Sequence, residues 1–397
     1  KMKILVLNCG SSSLKYQLIN MENEEVVASG KYERIGEREA FLTHKACGKK
    51  LEIKKPAFNH KEAIEITLKE FTNPEYKVIE SLDEINAIGH RLVHGGEKIS
   101  KSVLINDEVK NVLKEYTDLA PLHNPACLLG IEACEEVFPT KPMVGVFDTA
   151  FHQTVPKEKY IYPIPYEYYK KYSVRKYGFH GTSHMYVSNR LAELENKNIE
   201  DLKIVTCHLG QGSSICAIRD GKSIDTSMGL TPLGGISMVT RSGDLDPSVV
   251  TYIMKKENLT PEQMENILNK ESGISAISGL APDFRVIEEE SNNGNEMAKI
   301  AIEEFNYSVA TYIAKYAMAM NGVDYIVFTG GIGENQINIR KGICKKLEFM
   351  GVNLDLDKNN IRGEERIIST EDSAIKVYLI PTNEELMIAK ETENLIK

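Results

Sequence analysis

The stretch KILVLNCGSSSLKYQLI, residues 3–19, decides the fold class of the chain. The apolar run at 4–7 predicts a buried strand, because it is too short for a membrane span or for the core of a signal peptide. A glycine and three serines follow at 10–13, where small side chains let backbone N–H groups and hydroxyls approach an anion, and Lys15 adds positive charge. The stretch predicts a phosphate-binding turn between two strands, with an ordinary polar hairpin turn as the alternative.

The same pattern recurs in the second half of the chain. Residues 203–221, KIVTCHLGQGSSICAIRDG, align with the start so that Gly210 matches Gly10 and Ser213 matches Ser13. Two strand–turn–strand units near the starts of two halves indicate a duplicated domain, with a chance repeat as the alternative. The sequence therefore predicts an α/β fold of two duplicated domains that face each other across a cleft.

Composition and charge narrow the classes of function. The chain of 397 residues is longer than one hydrophobic core usually supports, so two domains are expected. A formal net charge of −9 argues against binding of nucleic acid or an anionic membrane, because both need basic surface. Any anionic ligand must therefore find a local basic cleft. The seven cysteines contain no C-x-x-C pair and fit reduced thiols in a cytoplasmic protein.

Helices and a further strand are predicted elsewhere in the chain. In HNPACLLGIEACEEVF, Asn124 is expected to be the N-cap of a helix, with Pro125 in the first helical position. Apolar residues at helical spacing predict a long core-facing helix over 295–322 that ends near Gly322. The segment VDYIVFTGGIGENQINIR, residues 323–340, predicts a buried strand, a glycine-rich turn and the start of a helix. That order suits nucleotide binding.

Other common nucleotide and metal motifs do not fit. The segment CAIRDGKS has Cys216 where a P-loop needs its first glycine, and neither glycine-rich turn completes the dinucleotide pattern G-x-G-x-x-G. The pairs His90/His94 and His180/His184 have the spacing of metal ligands on a helix. No Glu follows the first His of either pair, and nearby glycines disfavour a helix, so a zinc site is not expected.

Nine segments spread along the chain resemble one family. They are LNCGSSSLKYQL, GHRLVHGGE, VFDTAFHQT, YGFHGTSH, HLGQGSS, TRSGDLDPS, APDFR, FTGGIGEN and PTNEELMIA. In this order they resemble the acetate kinase family. The resemblance implies the fold shared by acetate and sugar kinases, actin and heat-shock chaperones: two duplicated actin-like ATPase domains of ribonuclease H-like βββαβαβα topology, with ATP in the cleft between them. It also implies a reversible transfer of the γ-phosphoryl group of ATP to acetate, giving acetyl phosphate and ADP, with Mg²⁺ as the metal and Mn²⁺ as its substitute.

The resemblance also assigns site residues by their position in these segments. The catalytic residues are Asp148, Arg91, His180 and Arg241. The substrate-binding residues are Arg91, Val93, Leu122, Phe179 and Pro232. The nucleotide-binding residues are Lys15, His208, Leu209, Gly210, Gln211, Gly212, Asp283, Phe284, Arg285, Gly331, Ile332, Gly333, Glu334 and Asn335. The metal-binding residues are Asn8 and Glu384.

The chemistry of these residue types agrees with such a transfer. A carboxylate that attacks a phosphate needs cationic groups to reduce repulsion, and the planar guanidinium fork of an arginine matches both anions. By family position, Arg91 meets the substrate, Arg241 the transferring group, and His180 the planar phosphoryl group in the transition state. An ionised carboxylate has no proton to lose, so Asp148 is expected to orient Arg91, Arg241 or the metal shell rather than to act as a base.

Domain limits and assembly are expected as follows. Residues 1–150 form a domain that carries the substrate and Mg²⁺, and 151–385 form the nucleotide-binding domain. A C-terminal helix over 386–397 packs back on the first domain. The resemblance implies a homodimer through the second domain and small-molecule substrates, and the net charge predicts no nucleic acid or membrane partner.

Three functions stay open at this point. A propionate kinase would share every motif for phosphoryl transfer and differ only in the shape of its pocket. An ATP-driven clamp or filament protein would use the same fold without needing Arg91, Arg241 and His180 together.

The family loop usually has Asn where Gln211 stands, which leaves the phosphate geometry or the nucleotide preference at that point in question.

Overall fold

The computed structural model describes residues 2–397, which form two compact units. The first unit extends to Gln153 and includes Asn383–Lys397, and the second is Thr154–Thr382. The second domain was expected to end at residue 385, but the second unit ends at Thr382, so Glu384 belongs to the first unit. The C-terminal helix belongs to the first unit because it packs directly on a strand of the first sheet. A Cβ atom added at Gly89 of that strand would lie only 2.5 Å from Thr392 Oγ1 of the helix.

The first unit contains an eight-stranded sheet. Its strands are β1 (Lys3–Cys9), β2 (Leu14–Asn20), β3 (Glu25–Glu33), β4 (Phe41–Ala46), β5 (Lys49–Lys54), β6 (Ala87–Leu92), β7 (Val103–Leu104) and β8 (Met143–Phe147). Their order is β5-β4-β3-β2-β1-β6-β8-β7. The first five strands pair antiparallel, whereas β6 is parallel to both β1 and β8. As predicted, the apolar run 4–7 lies in a strand and is buried.

Helices cover the first sheet. They are α1 (His60–Phe71), α2 (Asp107–Glu115), α3 (Asn124–Val137) and the C-terminal α14 (Glu384–Ile396), together with short 3₁₀ turns at Leu82–Glu84, Thr117–Leu119 and Ala150–Thr154. The prediction that Asn124 caps α3 is wrong by one residue, because His123 is the N-cap. The buried side chain of Asn124 instead donates to the carbonyl oxygens of His94 and Leu113, each at 3.0 Å, and accepts from the backbone N–H of His94.

The second unit repeats the central part of this topology. Its strands are β9 (Lys203–Leu209), β10 (Ser213–Arg219), β11 (Lys222–Thr226), β12 (Tyr325–Thr329), β13 (Arg366–Ile367) and β14 (Lys376–Leu379), in the order β11-β10-β9-β12-β14-β13. The segment β11-β10-β9-β12-β14 has the same order and strand directions as β3-β2-β1-β6-β8 of the first sheet. The repeat that the glycine–serine turns indicated therefore extends to five strands of each sheet.

Ten helices belong to the described part of the second unit. They are α4 (Lys157–Tyr160), α5 (Glu167–Tyr172), α6 (Gly181–Glu195), α7 (Pro247–Glu257), α8 (Pro261–Lys270), α9 (Gly273–Ser278), α10 (Phe284–Asn292), α11 (Glu296–Ala319), α12 (Gly330–Asn335) and α13 (Ile337–Lys345). Short 3₁₀ turns occupy Ile199–Asp201 and Glu348–Met350. The long helix predicted over 295–322 is α11, and it packs into the core through Phe305, Val309 and Ile313.

Two local expectations for the second unit fail. The glycine-rich segment after β12 is a helical turn, α12, that follows the strand directly. Gly181 does not prevent a helix either: α6 begins there, with His180 as its N-cap. A glycine is tolerated in the first turn of a helix because few intrahelical bonds have yet formed there. Among residues 2–397, no helix is long and apolar enough to cross a membrane.

Candidate active site

A cavity of about 240 Å³ opens in the first unit beside the turn that links β1 and β2. It is lined by Asn8, Cys9, Gly10, Ser13, Lys15, Lys31, Arg91, Val93, Leu122, His123 and Cys127. The sequence placed five of these residues in a site: Asn8, Lys15, Arg91, Val93 and Leu122. Strands β1 and β6 bring Asn8 and Arg91 together, because these residues directly follow Leu7 and His90, which pair in the parallel register of the two strands.

Asp148 holds the guanidinium group of Arg91. The Nε and Nη2 atoms of Arg91 donate to the two carboxylate oxygens of Asp148 at 3.2 and 2.6 Å, and Nη1 donates to Asn8 Oδ1 at 3.4 Å. Asp148 is buried, and its charge raises the pKa of Arg91 above the usual value. Of the three groups that Asp148 was expected to orient, the structure pairs it with Arg91. The ion pair occupies the Nε–Nη2 edge of the guanidinium group, and Nη1 and Nη2 each retain one N–H group for a second anion.

A row of polar and basic residues crosses the first three strands. Asn8 pairs with Lys15 in the register of β1 and β2, and Lys15 pairs with Lys31 in that of β2 and β3. Residues directly opposite each other in neighbouring strands project from the same face of a sheet. Sequence reasoning missed Lys31, which also forms an ion pair with Glu33 at 3.1 Å. The signal was present only in the strand register, because no motif contains this lysine.

Glu384 begins helix α14 and carries a perturbed carboxyl group. Burial and the nearby charge of Asp148 raise the pKa of Glu384 to about 7, although Arg91 acts in the opposite direction. A carboxylate that is partly desolvated beside another carboxylate is stabilised by a cation. The side-chain oxygens of Asn8 and Glu384 suit Mg²⁺, which usually takes only one or two ligands from a protein and keeps several waters. These residues therefore fit a divalent cation.

The second glycine–serine turn, residues 210–213, lies beside Arg241 and His180. The N–H of Gly210 donates to Ser213 Oγ at 3.1 Å, which closes the turn. A side chain at Gly212 would lie 3.2 Å from Arg241 Nη1 and 3.4 Å from His180 Nε2. The arginine and the histidine therefore approach the same point beside the turn.

Arg241 has no carboxylate within ion-pair distance among residues 2–397. Its Nη1 atom donates to the carbonyl oxygen of Pro232 at 3.1 Å and contacts Met238 Sδ at 3.8 Å. Burial lowers the pKa of Arg241 below the usual value. A partly desolvated guanidinium group without an acidic partner gains most from an anionic ligand.

Histidines surround the same turn. The ring of His180 stacks on that of His208 with centroids 4.2 Å apart, and His208 Nδ1 is joined to Ser183 Oγ at 2.8 Å. Burial lowers the pKa of His208 to about 4, so this ring is neutral at neutral pH. His180 has a φ of 56°, a left-handed conformation that is uncommon for residues other than glycine and that concentrates at functional sites.

The residues predicted to bind nucleotide range from exposed to fully buried. Gln211, Arg285, Gly331 and Asn335 are exposed. The side chains of Leu209, Phe284 and Ile332 lie in the hydrophobic core. Phe284 packs edge to face on Phe305 with ring centroids 5.8 Å apart. A nucleotide could meet only the backbone of these core residues, because core packing already occupies their side chains.

Two acidic residues in this set have local structural partners. Glu334 Oε2 accepts from the N–H of Gly330 at 2.7 Å and from that of Thr382 at 3.2 Å, so it stabilises the turn after β12. Asp283 caps α10 and forms an ion pair with Arg285 at 3.0 Å. The carboxylate of Glu334 is therefore hydrogen-bonded within the protein. The side chain of Asn335 is exposed and is the more accessible of the two to a ligand.

The residues predicted to form an acyl pocket belong to both units. Val93 and Leu122 line the cavity of the first unit, where Val93 is buried and Leu122 is 76% exposed. Phe179 and Pro232 belong to the second unit, in which Phe179 is buried and the Pro232 carbonyl binds Arg241. The first unit thus places Val93 and Leu122 in the same cavity as Arg91, and the second unit places Pro232 beside Arg241.

Comparisons with known proteins agree with this description. The sequence profile of the acetokinase family matches residues 3–390. An acetate kinase from Thermoanaerobacterium thermosaccharolyticum is 57% identical over 397 residues, which cover 100% of this chain and 99% of the relative. One from Caldanaerobacter subterraneus subsp. tengcongensis is 58% identical, with the same coverage.

Two solved structures also match almost the whole chain. The crystal structure of an acetate kinase from Porphyromonas gingivalis superposes with a TM-score of 0.97 at 46% identity and covers 100% of both chains. A propionate kinase from Francisella tularensis subsp. tularensis superposes with a TM-score of 0.90 at 45% identity and covers 99% of this chain and 100% of the other.

The repeated sheets, together with the full-length match to acetate kinase structures, define a two-domain phosphotransferase with the actin-like ATPase fold. The chain belongs to the acetokinase family. It is therefore a kinase whose phosphoryl acceptor is a carboxylate. The fold and the family expected from the nine sequence segments are confirmed.

Proposed function

We propose that this protein catalyses the reversible transfer of the γ-phosphoryl group of ATP to acetate, directly and in line, to give acetyl phosphate and ADP. The observation that carries the proposal is the cavity of the first unit, where the guanidinium group of Arg91 and the apolar Val93 line the same 240 Å³. A guanidinium edge matches a carboxylate, and a small apolar wall matches a methyl group. Acetate combines these two groups and nothing else.

Arg91 and Asp148 act on the acceptor. The Nη1–Nη2 edge of Arg91 binds the carboxylate and aligns one oxygen for attack, while Asp148 fixes the plane of the guanidinium group. No residue needs to remove a proton, because the acceptor is already ionised at neutral pH. Asp148 is therefore a positioning residue for Arg91.

Arg241 and His180 act on the transferring group. Their Nη1 and Nε2 atoms approach one point beside Gly212, and both can donate to phosphoryl oxygens whose charge is redistributed during transfer. The turn 210–213 offers backbone N–H groups to the nucleotide phosphates, and Asn335 and Arg285 are the exposed polar side chains proposed for the nucleoside side.

Asn8 and Glu384 are proposed to hold Mg²⁺, with Mn²⁺ as a substitute. When bound, the metal neutralises phosphate charge and orients the phosphoryl group. Lys15 and Lys31 add positive charge on the same side of the cavity. In a chain with a net charge of −9, this local concentration of cations provides the basic cleft that an anionic substrate requires.

The proposed reaction is tested by incubating the protein with ATP, Mg²⁺, hydroxylamine and one of a series of short carboxylates. Acyl phosphate formed in the reaction is trapped as the hydroxamate and measured by its iron complex. We expect acetate to give the highest kcat/KM. A higher value for propionate would favour the second candidate function, propionate kinase, which the similarity to the Francisella enzyme keeps open. No hydroxamate with any acid would contradict the proposal.

Replacing Val93 with alanine is expected to raise the kcat/KM of propionate relative to acetate by about tenfold. One methylene in an apolar pocket is worth roughly 1–3 kcal/mol, and the shorter side chain makes room for it without moving Arg91. The hydroxamate assay with both acids measures the ratio. Val112→Ala is the control, because Val112 is equally buried but lies outside the cavity. An unchanged ratio in an active Val93→Ala enzyme would remove Val93 from the acyl pocket.

Replacing Glu384 with alanine is expected to raise the Mg²⁺ concentration needed for half activity, or to abolish activity. The substitution removes one of the two protein oxygens proposed for the metal. A titration of activity with Mg²⁺ at saturating ATP measures the effect. Glu385→Ala, which alters the adjacent carboxylate in the same helical turn, should titrate like the wild type. Identical titrations for both variants and the wild type would place Glu384 outside the metal shell.

We also propose that the protein is a homodimer through its second unit. None of the residues of α7 is buried, although the helix carries Val249 at 39% and Tyr252 at 62% exposure. Apolar residues without cover on a helix of eleven residues indicate a surface that another molecule covers. Two-fold self-association is the commonest way to cover such a surface.

The double variant Val249→Lys/Tyr252→Lys is expected to be monomeric at concentrations where the wild type is dimeric. Lysines would have to lose their hydration at the interface, which is unfavourable. Sedimentation velocity measures the mass of both proteins. Leu104→Lys, at a residue of the first unit that is 50% exposed, is the control and should remain dimeric. A monomeric wild type, or a double variant that stays dimeric, would contradict the proposed surface.

A cytoplasmic location is proposed from the thiols. None of the seven cysteines, all of which lie within residues 2–397, forms a disulfide bond, and six of them are buried. Free cysteines in this number are typical of proteins that remain in a reducing compartment.

A further inference from the structure

A chain of four hydrogen-bonding side chains runs through the core of the second unit to His180. Thr206 Oγ1 is joined to His184 Nδ1 at 2.6 Å, His184 Nε2 to Ser214 Oγ at 2.8 Å, and Ser214 Oγ to His180 Nδ1 at 2.9 Å. Thr206, His184 and Ser214 are fully buried. The sequence motifs assigned no role to any of these three residues.

The single hydroxyl proton of Ser214 couples the two rings. A serine hydroxyl has one proton to donate, so Ser214 donates to one histidine nitrogen and accepts from the other. If it donates to His180 Nδ1, it accepts from His184 Nε2–H. Each ring then carries its proton on Nε2 when neutral. In the opposite arrangement, both rings carry the proton on Nδ1.

The buried end of the chain selects between these arrangements. Within residues 2–397, the hydroxyl of Thr206 has His184 Nδ1 as its partner. If His184 donated to Thr206, the buried hydroxyl proton of the threonine would lack an acceptor, and a buried unsatisfied donor costs about 1–3 kcal/mol. If Thr206 donates, each donor in the chain is satisfied in turn. The favoured direction is therefore from Thr206 through His184 and Ser214 to His180.

We propose that Thr206, His184 and Ser214 are positioning residues that fix His180 as the neutral Nε2–H tautomer. The Nε2 atom lies on the side of Arg241 and Gly212, so the ring presents a hydrogen-bond donor there without needing to become charged. The left-handed backbone of His180 and the stacked ring of His208 hold the same orientation. The functional meaning of this tautomer rests on the role proposed above for His180, whereas the tautomer itself does not.

The tautomers are measured directly by NMR of protein labelled with ¹⁵N-histidine. Protonated and unprotonated ring nitrogens have well separated ¹⁵N shifts, and His180→Gln and His184→Gln variants assign the two rings. At pH 8 we expect Nε2–H signals for both His180 and His184, with both Nδ1 atoms unprotonated. An Nδ1–H tautomer in either ring would overturn the proposed direction, whatever the activity of the enzyme.

Kinetics of variants test whether the chain supports catalysis. Ser214→Ala breaks the chain next to His180, and we expect kcat to fall about 10- to 100-fold, as for other side chains that orient a functional histidine. The KM values for ATP and for the carboxylate should change less than about threefold, because the substrate contacts remain. Thr206→Val, which keeps the shape but removes the donor, should lower kcat in the same way but less.

Conservative and control variants separate this role from general packing. Ser214→Thr keeps the hydroxyl and should retain most of the kcat and the Nε2–H tautomer. Thr226→Val is the matched control, because this buried hydroxyl donates to the carbonyl oxygen of Ile215 and not to a histidine. Normal kcat in Ser214→Ala, or an equal loss in Thr226→Val, would contradict the positioning role. Normal kcat in His180→Gln would instead contradict the function proposed for His180 and leave the measured tautomer valid.

Discussion

Replacing Arg241 with alanine is expected to leave a folded enzyme whose kcat is lower by about 10³-fold or more. Arginines that contact a transferring phosphoryl group contribute on this scale. Arg241 is suited to that contact, because it lies beside Gly212 and has no acidic partner among the described residues. The lost bond to the carbonyl of Pro232 should reduce stability by only about 1 kcal/mol. Steady-state kinetics and thermal unfolding measure the two effects separately.

Two further variants sharpen this test. Arg241→Lys keeps a positive charge but loses the planar fork, so its kcat should lie between those of the wild type and the alanine variant. Arg219→Ala removes an arginine from the distal end of β10 and should leave kcat unchanged. A near-normal kcat in Arg241→Ala would remove this residue from the mechanism.

Replacing Arg91 with alanine is expected to produce a loss of similar size, about 10³-fold, in kcat/KM for the carboxylate. The variant loses the guanidinium edge proposed for the substrate, and it also leaves the buried carboxylate of Asp148 without its partner. An unpaired buried carboxylate tends to take up a proton, so this variant should also lose stability. Hydroxamate formation and thermal unfolding, both followed against pH, measure these changes.

The double variant Arg91→Ala/Asp148→Asn distinguishes substrate binding from the cost of the unpaired charge. It should recover stability but not activity, because the carboxylate is neutralised while the guanidinium remains absent. Arg34→Ala, which removes an exposed ion pair with Glu37, is the control and should alter neither property appreciably. Recovery of activity in the double variant would contradict the role of Arg91 in binding the acceptor.

Much of the fold could be predicted from local sequence. Apolar runs of strand length and turns of glycine and serine are short-range signals, so the strands beside 10–13 and 210–213 were identified correctly. The start of α3 was misplaced because Asn and Pro are common in the first turn of a helix as well as at its cap. The side chain of Asn124 binds residues distant in sequence, which no local signal reveals.

The candidate site shows the same limit. Arg91 and Arg241 were predicted as site residues because both have turn-forming residues beside them in the sequence, although Arg91 lies in strand β6. Lys31 was missed because its relation to the cavity depends on the register of β2 and β3. The nucleotide role given to Phe284 took no account of the core that covers its side chain, because burial depends on which helices pack together.

The sequence by itself determined that this chain repeats a strand–turn–strand unit and that its nine motifs are those of the acetokinase family. These properties depend on residue type and on spacing of a few residues, which the linear order preserves. Only the tertiary structure decided that Asp148 grips Arg91, that Glu384 belongs to the first unit, and that Ser214 links two histidines. Each of these features depends on residues far apart in the chain, so it exists only once the strands and helices have packed against each other.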